Sequence, residues 1–262
     1  MASYLHPPVG WGDDPLTHFQ ATAILNEYAT FAHQPDWQHA LTAVNIDLNR
    51  CTNYAIENMT KVDDPTGLLL FATAHNHFLA AVRMVAAGQC LAVYPVSRAS
   101  VESALYGWYI GSDTNKASRW NSKPSQDRER MRTWNSEFKF SSLCKALSVD
   151  SPSEAKWATY LHQSAIDMGA HPNFEALYTN MSSKETPDGG TIIEMKFLHP
   201  WGPASMSATK CAIETGMFVL RLFSLAFAAS EPVIGIKANA LTHVRRLQAL
   251  VKSTGLSSSE HD

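Results

Sequence analysis

The chain has 262 residues, of which 45% are hydrophobic and 17% are charged. This composition is typical of a globular protein with a buried core, and it excludes a disordered chain. The formal net charge of −3 gives no overall attraction to nucleic acids or anionic lipids.

Several features predict a soluble protein in the cytoplasm. The first 14 residues contain no basic start followed by an apolar run, so we expect no secretory signal. The longest apolar stretch, residues 216–230, contains Arg221 and is shorter than the ~20 residues that cross a bilayer. The four cysteines form no metal-ligand spacing, so we expect reduced thiols used as small apolar residues.

Helix-start signals and apolar periodicity predict an all-α fold. Asp14-Pro15, Asp64-Pro65 and Ser151-Pro152 each place a capping side chain before a proline at the first helical position. Glu154 is spaced to complete a capping box with Ser151. We therefore expect a single bundle of about eight helices, at residues 15–33, 37–61, 65–88, 90–110, 124–147, 152–169, 203–230 and 237–253.

Two segments interrupt the helical pattern. Residues 111–123 are polar and predict a connection with one helical turn near Ala117. Residues 186–198 contain a turn followed by alternating apolar and polar residues, which favours a short hairpin on the surface. We expect residues 1–252 to form one helical domain and residues 253–262 to be a disordered tail.

The centre of the bundle is predicted from small residues. The third and fourth helices are rich in Ala and Gly, which lets helix axes approach closely. The helix at 203–230 is apolar on nearly all sides, as expected for an interior helix.

Arg98 and Glu102 lie one helical turn apart in one of the most apolar segments of the chain, residues 94–109. Buried charges are costly unless they are paired or have a function. One interpretation is an ion pair that fixes the packing of the helix. The other is that Arg98 binds an anion while Glu102 orients it, with Arg221 as a third member and Asp47 as a further acid.

A second polar group is Asp167-Met-Gly169-Ala-His171-Pro-Asn173. Gly169 and Pro172 should end the helix and leave His171 at its C-terminus, where the helix dipole favours a protonated ring and Asp167 orients it. The alternative is a structural C-cap.

His75 and His77 are neighbours on one helix and point about 100° apart, so they do not share a metal unaided. We expect at least one of them to face inward and to form a buried hydrogen bond. The sequence contains none of the Glu-x-x-His pairs of helical metal sites, and no HExxH, P-loop, dinucleotide-binding or GxSxG motif. We therefore predict no metal and no cofactor.

Residues 116–145 carry eight basic and three acidic side chains, a local charge of +5 that leaves −8 for the rest of the chain. Four aromatic residues lie between these charges: Trp120, Trp134, Phe138 and Phe140. RNA binding by phosphate contacts and stacking is one interpretation. The favoured alternative is an amphipathic helix whose aromatic side chains face the core.

The Arg98-x-x-x-Glu102 helix, followed by Asp167-x-Gly-Ala-His171-Pro-Asn173, resembles a group of bacterial helical domains of unknown function. These domains are similar to the HEPN helical superfamily, and the resemblance covers about residues 65–180. It implies an all-α fold, and many HEPN proteins are ribonucleases or toxins with an Arg-x(4–6)-His signature on one helix. That signature is absent here, because no arginine is followed by a histidine at that distance.

Three functions remain open. The first is a polar pocket for a small anionic or phosphate-bearing ligand, the second an RNA-acting enzyme or toxin, and the third a scaffold or immunity-type partner protein. Catalytic roles are assigned to Arg98, Glu102 and His171. Ligand contacts are assigned to Arg98, Asp167, Asn173, His75 and Arg221.

Overall fold

Helices make up nearly all of the regular structure, which confirms the all-α class. The computed structural model describes residues 6–111, 113–171 and 174–255. The longer helices are α1 (Pro15–His33), α2 (Pro35–Asn58), α3 (Thr66–Ala87), α4 (Cys90–Gly111), α8 (Pro152–Ala165), α10 (Pro203–Ala226) and α12 (Lys237–Thr254). The shorter ones are α5 (Thr114–Asn121), α6 (Arg128–Phe138), α7 (Phe140–Asp150), α9 (Phe174–Thr179) and α11 (Glu231–Ile234).

Helices begin within one residue of all three predicted starts, and at two of them an Asp side chain binds the first backbone amides. The Asp14 carboxylate accepts hydrogen bonds from the amides of Leu16 and Thr17 at the start of α1. The Asp64 carboxylate accepts from the Thr66 amide, where α3 begins. These bonds satisfy amide groups that have no partner inside a helix.

The capping box predicted at Ser151 is wrong. α8 begins after Ser151, but Ser151 makes no side-chain capping bond. The Glu154 carboxylate instead accepts from the Ser153 hydroxyl at 2.5 Å and from Arg221 Nε at 2.7 Å. A charged donor forms a stronger hydrogen bond with a carboxylate than a neutral amide does, so Glu154 pairs with α10.

The predicted helix at 124–147 is also wrong, because it is two helices. Asp127 caps α6 through the amides of Glu129 and Arg130. Lys139 then adopts extended dihedral angles (φ −73°, ψ 148°), and α7 begins at the next residue. The segment predicted to be a polar connection contains α5, which is capped by Asp113.

The predicted hairpin is present, and its first arm begins earlier than expected. Strand β1 (Met181–Glu185) pairs antiparallel with β2 (Thr191–Met195). The side chains of β2 are exposed, including Ile192 and Ile193. The hairpin is therefore a surface addition to the bundle, as its sequence suggested.

Helices α3, α4 and α10 form the centre of the bundle, and the close approach of α3 to α4 depends on glycine. A Cβ atom on Gly67 of α3 would lie 2.5 Å from Gly111 Cα and 3.2 Å from the Gly107 carbonyl oxygen of α4. The Ser100 hydroxyl donates to the Ala74 carbonyl at 2.8 Å across the same interface. The small-residue prediction is confirmed at this contact.

One cluster of buried hydrophobic side chains draws on helices from α2 to α12. All four cysteines are buried and free, which confirms their predicted use as small apolar residues. The chain is helical through Thr254, so Ser253 and Thr254, which were predicted to begin a disordered tail, belong to α12. Residues 256–262 lie outside the described part of the chain.

Helix α3 is long and apolar enough to cross a membrane by length and composition alone, and α10 passes the same test only together with the bent segment after it. In the fold, α3 packs against α1, α2, α4 and α10. An interior helix of a soluble bundle has the same composition, so the fold is compatible with a soluble protein.

We expect Gly67→Ala to lower the free energy of unfolding by about 1–3 kcal/mol, because the added methyl group overlaps the α4 backbone. At an exposed helical position a Gly→Ala change raises the stability of the protein by roughly 0.5–1 kcal/mol. A loss of stability in Gly67→Ala would therefore indicate the close contact with α4. Chemical denaturation of both proteins measures the difference.

Gly202→Ala serves as the control. Gly202 has a φ of 175°, and an added Cβ would approach no atom closer than 3.9 Å. Its cost should be limited to weaker capping of α10, below about 1 kcal/mol. A Gly67→Ala protein as stable as the wild type would show that the helices can separate at no cost.

Candidate functional site

Arg98, Glu102 and His171 are in direct contact. Arg98 Nε donates to Glu102 Oε1 at 2.8 Å, and Arg98 Nη1 lies 2.7 Å from His171 Nε2. The side chains of Arg98 and Glu102 are 26% and 33% exposed, so the pair lies at the edge of the core. The three residues assigned catalytic roles from sequence therefore converge, although His171 lies 73 positions after Arg98.

His162 of α8 is a fourth member that the sequence reasoning did not select. Its Nε2 lies 3.1 Å from Glu102 Oε1, and its ring is stacked on Phe140, with centroids 3.8 Å apart and planes at 16°. A signal was present in the sequence, because His162 lies four residues after Ala158 on the buried face of its helix.

The hydrogen bonds assign a donor or acceptor role to one nitrogen of each imidazole. A guanidinium only donates, so His171 Nε2 accepts from Arg98 and must carry a lone pair. A carboxylate oxygen only accepts, so His162 Nε2 donates its proton to Glu102. The sequence predicted a protonated His171 at a helix end, whereas in this contact its Nε2 is an acceptor.

Glu102 is held as a carboxylate. The hydrogen bond from His162 is the largest effect on its pKa, which lies below the ordinary value of 4.5. Burial acts in the opposite direction, and the bond and positive charge of Arg98 add to the lowering. The negative charge of Glu102 therefore persists throughout the neutral range.

His171 is positioned by an irregular end of α8. Residues Ile166–Ala170 form a π-helical turn, and Gly169 has a φ of 133°, a conformation that favours glycine. The Asp167 carboxylate accepts a hydrogen bond from the Gln163 amide at 2.7 Å. Asn173, also assigned to the site, lies outside the described residues.

A cavity of about 570 Å³ lies beside His171. It is bounded by the start of α4, the turn after α8, and the hairpin. Its lining residues are mostly apolar and include Leu91, Leu177, Met195 and Phe197, with His199, Asn180 and Lys196 as polar members. His199 is bonded to Asn180, and burial lowers the pKa of its ring.

The structure does not bring His75 to this cluster. His75 Nε2 donates to Asn45 Oδ1 at 2.9 Å, and its Nδ1 accepts from the Thr52 hydroxyl at 2.8 Å. Burial lowers the pKa of the ring, which is consistent with a neutral side chain. The core interpretation of His75 is confirmed, and its assignment as a ligand contact at the Arg98 cluster is wrong.

Arg221 and Asp47 are also placed elsewhere. Arg221 is bound to Glu154, whose pKa is raised by burial but lowered on balance by bonds from Ser153 and Arg221. Asp47 is buried and bound by residues of α2 and α12. Neither is part of the Arg98 cluster, because Arg221 and Asp47 each form their hydrogen bonds with residues outside it.

The basic stretch packs as an amphipathic surface. Trp120 stacks on Trp134, and both pack against Phe138 in a small second core. Arg119 is bonded to Glu137, and the Lys123 ammonium lies 4.7 Å from the centre of the Trp134 ring. The aromatic side chains therefore pack against one another, as the favoured alternative predicted.

Among the described residues, no group of three or more His, Cys, Asp or Glu side chains could hold a metal ion. Comparisons with protein-family models, with curated proteins and with solved structures found no match. The HEPN resemblance therefore stays a prediction.

We expect Glu102→Gln to lower stability near neutral pH by less than about 1 kcal/mol, because a partly exposed pair is screened by solvent. The folded pKa of Glu102 is lowered, so the stabilisation is complete above the ordinary value of 4.5 and is lost as the pH falls through the folded pKa. The stability difference between the two proteins should therefore shrink in acid, as denaturant unfolding at several pH values will measure.

Glu27→Gln is the matched control, since Glu27 forms an ion pair with the largely exposed Arg83. It should change stability less than Glu102→Gln at neutral pH. A constant difference between wild type and Glu102→Gln from neutral to acidic pH would contradict the assigned charge.

Proposed function

We propose that the cluster of Arg98, Glu102, His162 and His171 binds a small anionic ligand, most readily one that carries a phosphate or a similar group. The observation that carries this proposal is the contact of Arg98 with His171, a residue that also lines a cavity. An internal ion pair alone would need Glu102 but would not need the histidine.

Arg98 is oriented as an anion receptor. Its Nε is held by Glu102 and its Nη1 contacts His171, while Nη2 has no hydrogen-bond partner among the described residues. A planar guanidinium fixed at one edge offers its other edge to two oxygens of a phosphate or carboxylate. Fixing the side chain in advance reduces the entropy lost on binding.

His171 can change from acceptor to donor. In the free site its Nε2 accepts from Arg98. A bound anion can replace His171 Nε2 as the acceptor of the hydrogen bond from Arg98. Its negative charge also favours the imidazolium form of His171, which can then donate to the same anion. Binding is therefore expected to take up a proton and to strengthen as the pH falls.

The adjacent cavity supplies an apolar contact. Its volume of about 570 Å³ and its walls of Leu91, Leu177, Met195 and Phe197 suit the apolar body of a small organic ligand. An organic phosphate should therefore bind more tightly than inorganic phosphate.

The test is isothermal titration calorimetry with phenyl phosphate and inorganic phosphate. Phenyl phosphate should bind the wild type more tightly, and Arg98→Ala should weaken it at least about 10-fold by removing a charge-assisted contact. His171→Ala should weaken it by a smaller factor. Arg83→Ala and His33→Ala are controls, because both residues are exposed and belong to other helices.

The proton uptake is tested with phenyl sulfate, whose charge is constant in this range. Its affinity for the wild type should rise as the pH falls from about 8 to about 6, where a histidine titrates. His171→Ala should remove this dependence. Equal weakening by Arg98→Ala and Arg83→Ala would show non-specific attraction and would overturn the proposal.

RNA cleavage is a second candidate function, favoured by the two imidazoles linked through Arg98 and Glu102. Phosphodiester cleavage needs a general acid or base, a role open to His171, and a cation at the phosphate, a role open to Arg98. The 2′-oxygen attacks phosphorus as it loses its proton, and the 5′-oxygen leaves with a proton.

The check is incubation of a single-stranded RNA with the wild type, His171→Ala and His33→Ala. For an RNA-acting enzyme we expect the wild type and His33→Ala to cleave the RNA and His171→Ala to leave it intact. A 2′-deoxy substitution at the cut position should block cleavage. Intact RNA at several pH values, with phenyl phosphate binding retained, would leave anion binding as the function.

A further inference from the structure

A second cavity, of about 340 Å³, lies between α8, α10 and α12. Its walls include Trp157, Met217, Leu220, Leu241 and Val244, which are apolar. This cavity has no residue in common with the one beside His171. It therefore needs its own explanation.

One wall contains the histidine of a buried Asp–His pair. His243 Nε2 donates to Asp47 Oδ2 at 2.8 Å, and their side chains are 6% and 1% exposed. The Asp47 carboxylate also accepts from Asn239 Nδ2 at 3.0 Å and from Arg50 Nη1 at 3.1 Å. With three donors around it, Asp47 is fixed as the carboxylate that orients His243.

The other ring nitrogen of His243 is unsatisfied. Nδ1 is buried and has no hydrogen-bond partner in the described part of the chain. Because Nε2 carries the proton given to Asp47, Nδ1 of the neutral ring is an acceptor. An unsatisfied buried acceptor costs free energy that a hydrogen-bond donor would recover.

The wall of the cavity also carries positive charge. Lys237 and Arg221 line it, and Arg221 is 45% exposed while its Nε is bonded to Glu154. Lys237 lies six residues before His243 on α12, which corresponds to about 9 Å along the helix axis. This separation is close to the length of an aromatic ring with one short substituent at each end.

We propose that this cavity binds a small aromatic acid that carries a hydroxyl group at the end opposite its carboxylate. The carboxylate faces Lys237 and Arg221, the ring lies against Trp157 and Leu220, and the hydroxyl donates to His243 Nδ1. His243 Nδ1 is shielded from water, so this contact needs a small shift of the side chains around it. The site is independent of the Arg98 cluster.

The test is calorimetric titration with 4-hydroxyphenylacetate, phenylacetate and 4-hydroxybenzyl alcohol. The first compound has both polar groups, and each of the others lacks one. Removal of either group should weaken binding at least about 5-fold, the loss expected for one hydrogen bond or ion contact in a partly desolvated site. These three ligands test the proposal on the unmodified protein.

Two variants test the location. Lys237→Ala should weaken 4-hydroxyphenylacetate but leave 4-hydroxybenzyl alcohol unchanged, because only the first has a carboxylate. Lys252→Ala is its matched control, since Lys252 is an exposed lysine at the other end of α12. Ala240→Phe should abolish binding of both compounds by filling the cavity, with thermal unfolding confirming that it folds.

Nitrogen-15 spectra of histidine-labelled protein provide a direct readout of the contact. The Nδ1 resonance of His243 should shift with 4-hydroxyphenylacetate and not with phenylacetate. Equal affinity for the two acids, or equal weakening by Lys237→Ala and Lys252→Ala, would overturn the proposal. Absence of binding by all three compounds at millimolar concentration would overturn it as well.

Discussion

The near contact of α3 and α4 backbones is the constraint on which the rest of the structure depends. With no Cβ at Gly67, the backbones of the two helices come into near contact at that end, and the Phe71 side chain packs beside Gly107. Further along α4, Arg98 and Glu102 have their partners on α8 and after its π-helical turn.

Three carboxylates of this protein share one arrangement. Glu102 receives donors from α4 and α8, Glu154 from α8 and α10, and Asp47 from α2 and α12. Each therefore joins two helices that are distant in sequence. Such contacts add specificity to a core in which small apolar residues alone would allow helices to slide.

The sequence was most informative where the signal was local. Asp14 and Asp64 act within two or three residues of themselves, so their helix starts could be predicted. The break at Lys139 has no glycine or proline to mark it, and it depends on how Phe138 and Phe140 pack on different neighbours. The capping box failed for a related reason, because the competing donor, Arg221, comes from a distant helix.

The site was predictable in part for the same reason. Arg98 and Glu102 were found because they are neighbours on one helix, and His171 because a glycine and a proline flank it. His162 was missed, because its place on the buried face of α8 marks it as an inward-facing residue but does not indicate that Glu102 lies beside it. His75 and Arg221 were assigned to the site from their chemistry, and only the fold shows that each has other partners.

The stacking of His162 on Phe140 makes the two imidazoles unequal. A ring that lies flat against a phenyl group 3.8 Å away cannot turn over without unstacking, so His162 always presents the same nitrogen to Glu102. His171 is exposed, follows a turn in which Gly169 has a positive φ, and lines the cavity. The cluster thus contains one imidazole held against a phenyl ring between helices and one at the surface, where an incoming ligand can reach it.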